Sequence, residues 1–246
     1  MSSHLLIRRI TQPTDGELEK LASIRIESDN DLRPNFITDL TGSGTPLQRE
    51  IWKAIIRAGC LAGYHFAAYF SNNPDELIGE VTFYPPGVHV MADEEQREQG
   101  WNTAAAKIFP EKLLKFVNVN VPAYNTAVTS VIDPSVKDRS WSVNTLAVLP
   151  SYRRRGIATA LLREAEKLVA ESHHSSIILE TYGWNVQMYL GLGYQLVGSH
   201  AMGVVSEEGE QYPDLQVFKK DFSLSSDFLS IFIDPCHWTL LRMHRH

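Results

Sequence analysis

The stretch that most constrains this chain is residues 141–160, WSVNTLAVLPSYRRRGIATA. It opens with an apolar run of strand character over 143–149, which Pro150 stops because proline has no N–H for a ladder and a fixed φ. Ser151 and Tyr152 turn the chain. Arg153, Arg154, Arg155, Gly156, Ile157 and Ala158 then lead into residues 159–170, where Leu161, Leu162, Ala165, Leu168 and Val169 recur on one face of an amphipathic helix. The first amides of a helix lack internal partners, and the helix dipole makes that end positive. Gly156 and Ala158 are small enough for a ligand to approach the backbone, and three arginines add charge-assisted donors. The segment from Arg153 to Thr159 is therefore a candidate anion site whose span suits a pyrophosphate. A solvated basic turn ahead of a helix accounts for the same residues.

Arg153-x-x-Gly156-x-Ala158, directly after a strand ending LAVLP and directly before a helix, resembles the acetyl-CoA signature (Gln/Arg)-x-x-Gly-x-(Gly/Ala) of the GNAT superfamily of N-acetyltransferases. A second block agrees with it. SIILE at 176–180 reads as a strand, and YLGLGY at 189–194 is similar to the family's Tyr-x-x-x-Gly-(Phe/Tyr) ending. The two blocks span residues 141–199. The resemblance implies an α/β (α+β) fold: a mixed, mostly antiparallel twisted sheet of about six to seven strands, with helices on both faces and a splayed central parallel strand pair. It also implies acetyl-CoA as co-substrate, with no metal.

Length and composition bound the rest. At 246 residues the chain is long for one domain and short for two, so a single domain over 1–222 is expected, with a helical insertion around 91–126. Residues 223–246, hydrophobic in the middle and basic at the end, form an extension whose role the sequence leaves open. A net charge of −6 argues against general nucleic-acid affinity. Cys60 and Cys236 are far apart, with no CxxC, so a reducing compartment is expected rather than a disulfide framework or a zinc site. The N-terminal MSSHLLIRRI lacks the apolar segment of a signal peptide, and no apolar run reaches bilayer length. A cytoplasmic protein without a membrane partner is the expectation, and a homodimer stays open.

Along the chain, residues 5–10 read as a first strand, with helix-start residues over 14–19 and a loop over 29–46 that the resemblance makes a candidate substrate loop. Residues 47–61 read as a second helix, and 64–70 and 77–83 as a hairpin around the turn SNNPD. One or two short helices are expected within 91–126, with Trp101 and Phe109 as core anchors. Asp133, Pro134, Ser135 and Asp138 turn the chain into Trp141. After the helix, 172–175 is a connector whose two histidines face solvent, 176–182 a strand, and 185–192 a short helix closed by Gly193. Residues 194–202 and 215–222 form the last hairpin.

Acetyl transfer from a thioester to an amine needs a held cofactor, a neutral amine, a polarised carbonyl and a proton for the departing thiolate. By the resemblance, backbone groups of Leu146, Ala147 and Val148 pair with the pantetheine arm, and an N–H there polarises the carbonyl like an oxyanion hole. Tyr189 holds the family's tyrosine position; a phenol with a pKa of about 10 is protonated at neutral pH and can give its proton to a thiolate. Asn185 lies one helical turn before it and is a candidate cofactor contact. The general base stays open. Many protein-lysine acetyltransferases of the superfamily carry a Glu early on the central strand where this chain has Ser142, and Glu180, Glu80 and Asp138 are the candidates in its place. The missing Glu points to a small-molecule amine, attacked directly in a ternary complex. The alternatives are a protein or peptide N-acetyltransferase and a non-catalytic acyl-CoA-binding module.

Overall fold

The computed structural model describes residues 4–29, 34–172 and 176–222, without the Trp184 side chain. The expected connector histidines, His173 and His174, and the extension over 223–246 with Cys236 lie outside the described residues. The strands are β1 (Leu5–Ile10), β2 (Tyr64–Phe70), β3 (Asn73–Tyr84), β4 (Trp141–Val148), β5 (Ser176–Tyr182), β6 (Gln195–His200) and β7 (Leu215–Asp221). They form one sheet in the order β1-β2-β3-β4-β5-β7-β6, antiparallel throughout except for the β4–β5 pair.

The helices are α1 (Asp15–Asp29), α2 (Phe36–Thr41), α3 (Pro46–Ala62), α4 (Glu94–Arg97), α5 (Trp101–Ala105), α6 (Pro110–Lys115), α7 (Val121–Val131), α8 (Pro134–Asp138), α9 (Ile157–Glu171) and α10 (Val186–Gly191). Their starts follow from side chains that satisfy orphan amides. Thr14 and Glu17 form a reciprocal capping box on α1: Glu17 N–H donates to Thr14 Oγ1 at 3.2 Å, and Thr14 N–H donates to Glu17 Oε2 at 2.8 Å. Asn35 Oδ1 accepts from the amides of Ile37 and Thr38 at 2.8 and 3.2 Å, which starts a helix inside the stretch expected to be a loop. On α3, Thr45 caps and Pro46 takes the first turn.

Two layers cover the sheet. On one face α9 buries Ile157, Leu161, Leu162, Ala165 and Val169 against Phe66, Ile78, Val81, Val143 and Ile177. Gly79 lets α9 come this close, since a Cβ there would stand 3.1 Å from both the Ala147 carbonyl oxygen and Ile157 Cγ2. On the other face α1 and α3 bury Leu18, Leu21, Ala22, Trp52 and Ile56 against Ala67, Leu77 and Ala147.

The insertion is larger than expected. Instead of one or two short helices it holds α4, α5, α6, a π-helical turn over Phe116–Asn120 and α7. Ala104 and Ile108 pack on Leu40 and Ile51, while Ala127 and Val128 of α7 pack on Ile178, Leu215 and Val217. The insertion therefore spans the sheet end from α3 to β7. Trp101 joins this packing, with its ring 6.4 Å from that of Phe116. Phe109 does not: it is 69% exposed, because Pro110 starts α6 immediately after it and turns it outward. The expected turn at 133–138 is the short helix α8, capped by the Asp133 side chain.

Candidate active site

β4 and β5 begin as neighbours and then part. They pair for three residues, Trp141↔Ile177 to Val143↔Leu179. Beyond that β4 pairs only with β3, and β5 only with β7. The parting begins where the β3–β4 register skips Asn144, between Thr82↔Thr145 and Phe83↔Val143; an extra residue on one strand bends it and increases its twist. One edge of β4 over 144–148 therefore has no strand partner and can pair with an extended ligand.

At the end of β4 the turn Pro150–Tyr152 leads to Arg154 and Gly156, which both take left-handed φ, 63° and 79°. That conformation is natural only for glycine at Gly156. It reverses the chain so that α9 starts beside the strand end. Among the described residues no backbone carbonyl accepts from the amides of Gly156, Ile157, Ala158 or Thr159, as the helix N-terminus requires. These amides and the open edge of β4 meet at a cavity of about 610 Å³.

Of the eleven cofactor residues expected from sequence, all but Ala147 and Arg155 line this cavity. The Ala147 side chain lies in the opposite layer, against α1 and α3. Arg155 places its guanidinium 5.1 Å from the Tyr152 ring centroid and donates to the Ser151 carbonyl at 3.3 Å. Arg153 ties the loop to the strand, donating from Nε to the Val148 carbonyl at 3.3 Å and from Nη2 to Ser28 Oγ at 3.4 Å. Arg153 and Arg154 are both exposed and both line the cavity. Ser28, Tyr152 and Met188 also line the cavity. No local motif marks them, because Ser28 arrives from the far end of α1 only through tertiary packing.

Tyr189 sits at the opposite wall, on α10, 5% exposed. Its ring is 6.0 Å from Tyr194 and 5.4 Å from Phe218. Burial pushes its phenol up to about 12, against a small opposing pull from the Thr181 side chain. The group stays protonated at neutral pH and is a proton donor rather than a base. Asn185 lines the same wall one turn earlier.

The three carboxylates expected to compete for the base role are all engaged elsewhere, and none lines the cavity. Glu180 accepts from Tyr124 Oη at 2.8 Å and pairs with Lys137 at 2.6 Å. Asp138 pairs with His89 at 3.2 Å on the surface. Glu80 is fully buried, held by Arg25 and by His65 Nε2 at 3.1 Å, while His65 Nδ1 lies 2.9 Å from Thr82 Oγ1. Burial opposes the Glu80 charge, but Arg25 and His65 outweigh it and hold the carboxyl below its ordinary value. Asp29, one turn after Arg25 on α1, joins this buried cluster. The sequence carried a signal for it. Leu18, Leu21, Ala22, Arg25 and Asp29 share one helical face, so two charged residues continue the core stripe of α1.

Residues 122–194 match the model of the acetyltransferase (GNAT) family. The matched segment runs from α7 through β4 and α9 to Tyr194. The wedge between the parting strands β4 and β5, the β4–α9 loop and Tyr189 all lie within the matched segment. The GNAT fold extends over nearly the whole chain. A mosquito arylalkylamine N-acetyltransferase like 5b structure superposes with a TM-score of 0.57 at 17% identity, covering 89% of this chain and 100% of that one. A Drosophila melanogaster polyamine N-acetyltransferase gives 0.56 at 16% identity, with 89% and 100% covered. Arabidopsis thaliana NAA60, solved in complex with a bisubstrate analogue, gives 0.52 at 18% identity, with 90% and 100% covered. No curated protein sequence matches the chain. Among the described residues no group of three or more His, Cys, Asp or Glu side chains could hold a metal ion, and no helix is long and apolar enough to cross a membrane.

Proposed function

We propose that this GNAT domain transfers the acetyl group of acetyl-CoA to a primary amine of a small molecule, by direct attack in a ternary complex. The observation that carries this reading is the cavity in which the open edge of β4, the free amides of α9 and the Tyr189 side chain converge. Amides and dipole at the α9 start, with Arg154 beside them, suit the pyrophosphate of CoA. The extended pantetheine arm suits the unpaired strand edge. An N–H of β4 stabilises charge developing on the thioester oxygen, and Tyr189 supplies the proton that the leaving thiolate takes up.

Two findings favour a small acceptor over a protein. α2 is strapped to the loop between β6 and β7, since Asp39 Oδ2 accepts from Tyr212 Oη at 2.5 Å and from the Glu207 amide at 3.1 Å. Phe36 meets Tyr212 edge-on with centroids 4.5 Å apart. An extended peptide needs an open groove, and this strap spans α2 to that loop. Two of the proteins that share this fold are an arylalkylamine N-acetyltransferase like 5b and a polyamine N-acetyltransferase.

The test is calorimetric titration of the purified chain with acetyl-CoA, followed by thiol release from acetyl-CoA with phenethylamine, putrescine, agmatine and a lysine-containing peptide. Binding, and turnover with an amine but not the peptide, is the expected result. Failure to bind acetyl-CoA overturns the acetyltransferase reading, and turnover of the peptide alone overturns the small-molecule acceptor.

A further inference from the structure

The two edges of the sheet are guarded unequally, and the segment over 223–246, outside the described residues, begins beside the weaker one. We infer that this segment docks on its own sheet, with FLSIFI at 228–233 added as a strand to the free edge of β6 and covering Leu190, Leu196 and Val197. The inference does not depend on the acetyl-transfer reading.

Among the described residues β6 pairs with β7 alone, so the backbone donors and acceptors on its other side meet no strand. The opposite edge shows what protection looks like. β1 carries the exposed Arg8 and Arg9; Arg8 pairs with Glu17, and the Arg9 guanidinium lies 4.1 Å from the Tyr64 ring centroid. Charged side chains on an edge discourage a further strand from adding. β6 reads QLVGSH, without Lys, Arg, Asp, Glu or Pro, and its one irregularity is the register skip at Val197. Leu196 and Val197 are each 43% exposed, and Leu190 of α10 is 42% exposed. Leu196 lies opposite Phe218, whose ring packs on Tyr189, so Leu196 projects on the α10 side of the sheet.

The segment after Phe222 has the chemistry for this edge. FLSIFI is apolar except for Ser230 and rich in the aromatic and β-branched residues that strands favour, and Pro235 follows as a stop. An uncharged run of this kind left bare is an aggregation hazard, and so is an unguarded edge. Joining the two removes both. Reach agrees with this. β7 ends at Asp221, and its Lys219 lies opposite Gln195, the first residue of β6, so the chain leaves the sheet where β6 begins. Phe222 packs on the core under α9, with Lys220 Nζ 5.5 Å from its ring, which starts the segment on the side of Leu196. The outer side of β6 is two strand spacings from β7, about 10 Å. The linker SLSSD at 223–227 extends up to about 17 Å. A run entering at Gln195 and lying parallel to β6 then has the same length as β6, 6 residues.

A second copy of the chain is the rival occupant. Two β6 strands pairing edge to edge would contribute 6 residues each, short of the roughly 20–30 a side that a stable interface uses. That arrangement also leaves FLSIFI bare. The tethered segment is held beside the edge by a short linker, so its effective concentration there exceeds that of a free partner.

Two measurements on the full chain test this. The first is nuclear magnetic resonance of the isotope-labelled protein, which should show nuclear Overhauser contacts between residues 195–200 and 228–233. A mixture of labelled and unlabelled chains, read with isotope filters, should show none between molecules. Absence of the contacts overturns the proposal, and contacts that appear only between molecules assign the edge to a second copy and overturn it as well. The second is hydrogen exchange of the β6 amides in Val197→Lys, Ile231→Lys and the double variant. Each single substitution should speed exchange of the outward amides severalfold, the double variant should add little more, and the amides of β2 and β3 should be unchanged. No acceleration in Ile231→Lys, or accelerations that add fully in the double variant, overturns the docking.

Discussion

At the scale of single residues, Tyr189 and Glu80 show how burial gives similar surroundings opposite uses. Tyr189 is neutral where it stands, so burial costs it little and its raised pKa keeps it protonated at neutral pH. Tyr189→Phe should lower kcat about 100-fold with acetyl-CoA affinity unchanged, read by thiol release beside calorimetry; an unchanged kcat would favour a binding module. Glu80 is charged and fully buried, and survives only because Arg25 and His65 meet it. Glu80→Gln removes one of the two carboxylates that face the buried Arg25 and the acceptor of His65, and should cost up to roughly 3–5 kcal/mol in urea unfolding. The lowered pKa of Glu80 gives stability that is present above its ordinary 4.5 and is lost as pH falls through the native value. Asp29 runs the other way. Its raised pKa gives a stabilising contribution that is full below 3.8 and is lost as pH rises through about 7. Asp29→Asn should therefore gain thermal stability relative to the native chain at pH 8 more than at pH 5, as scanning calorimetry at the two pH values would reveal.

At the scale of elements, the decisive unit is strand, loop and helix from β4 to α9. Its loop works because Gly156 takes a φ of 79° without strain. Space is not the constraint, since a Cβ there meets nothing within 4 Å. Gly156→Glu should raise the acetyl-CoA Kd at least about tenfold, from backbone strain and from a carboxylate at the phosphate end of the helix. The strain itself should lower stability by about 1 kcal/mol, so calorimetric titration paired with a melting curve separates the two effects. Arg155→Glu alone should weaken binding less, because Arg155 is committed to Tyr152 and the Ser151 carbonyl rather than to the cavity. The wedge is the second decisive element. A register skip at Asn144 and a β5 that turns to β7 leave one strand edge open inside an otherwise paired sheet.

At the scale of the whole molecule, the insertion and the loop between β6 and β7 close what the sheet leaves open. Lys115 pairs with Glu207 at 2.7 Å, and Lys112 donates to the Asp39 carbonyl at 3.2 Å, so α2, α6 and that loop are tied together. Asp39→Ala removes the acceptor for both Tyr212 and the Glu207 amide. The expected outcome is a several-fold higher KM for the amine with acetyl-CoA affinity unchanged, since the cofactor cavity lies on other elements; steady-state kinetics in both substrates checks it.

What the sequence determined by itself is local. Pro150, Gly156 and the apolar stripe of α9 specify strand stop, left-handed turn and helix within twenty residues, and the same stretch lines the candidate cofactor cavity. Tyr189 and Gly193 are fixed in the same way, by a short helix and its left-handed cap. Helix α2 was legible in principle through Asn35 as an N-cap, but six residues give too short a period to stand out among turn formers. The tertiary structure alone decided the rest. It separated β4 from β5, exposed Phe109, engaged Glu180 with Tyr124 and Lys137, and brought Ser28 to Arg153 and Asp29 to Glu80. Helix starts and turns depend on residues a few positions apart, so a linear pattern encodes them. The ionisation and reach of a carboxylate depend on which charges and how much water surround it, and only the packing of α1 against β3 and β4 fixes those.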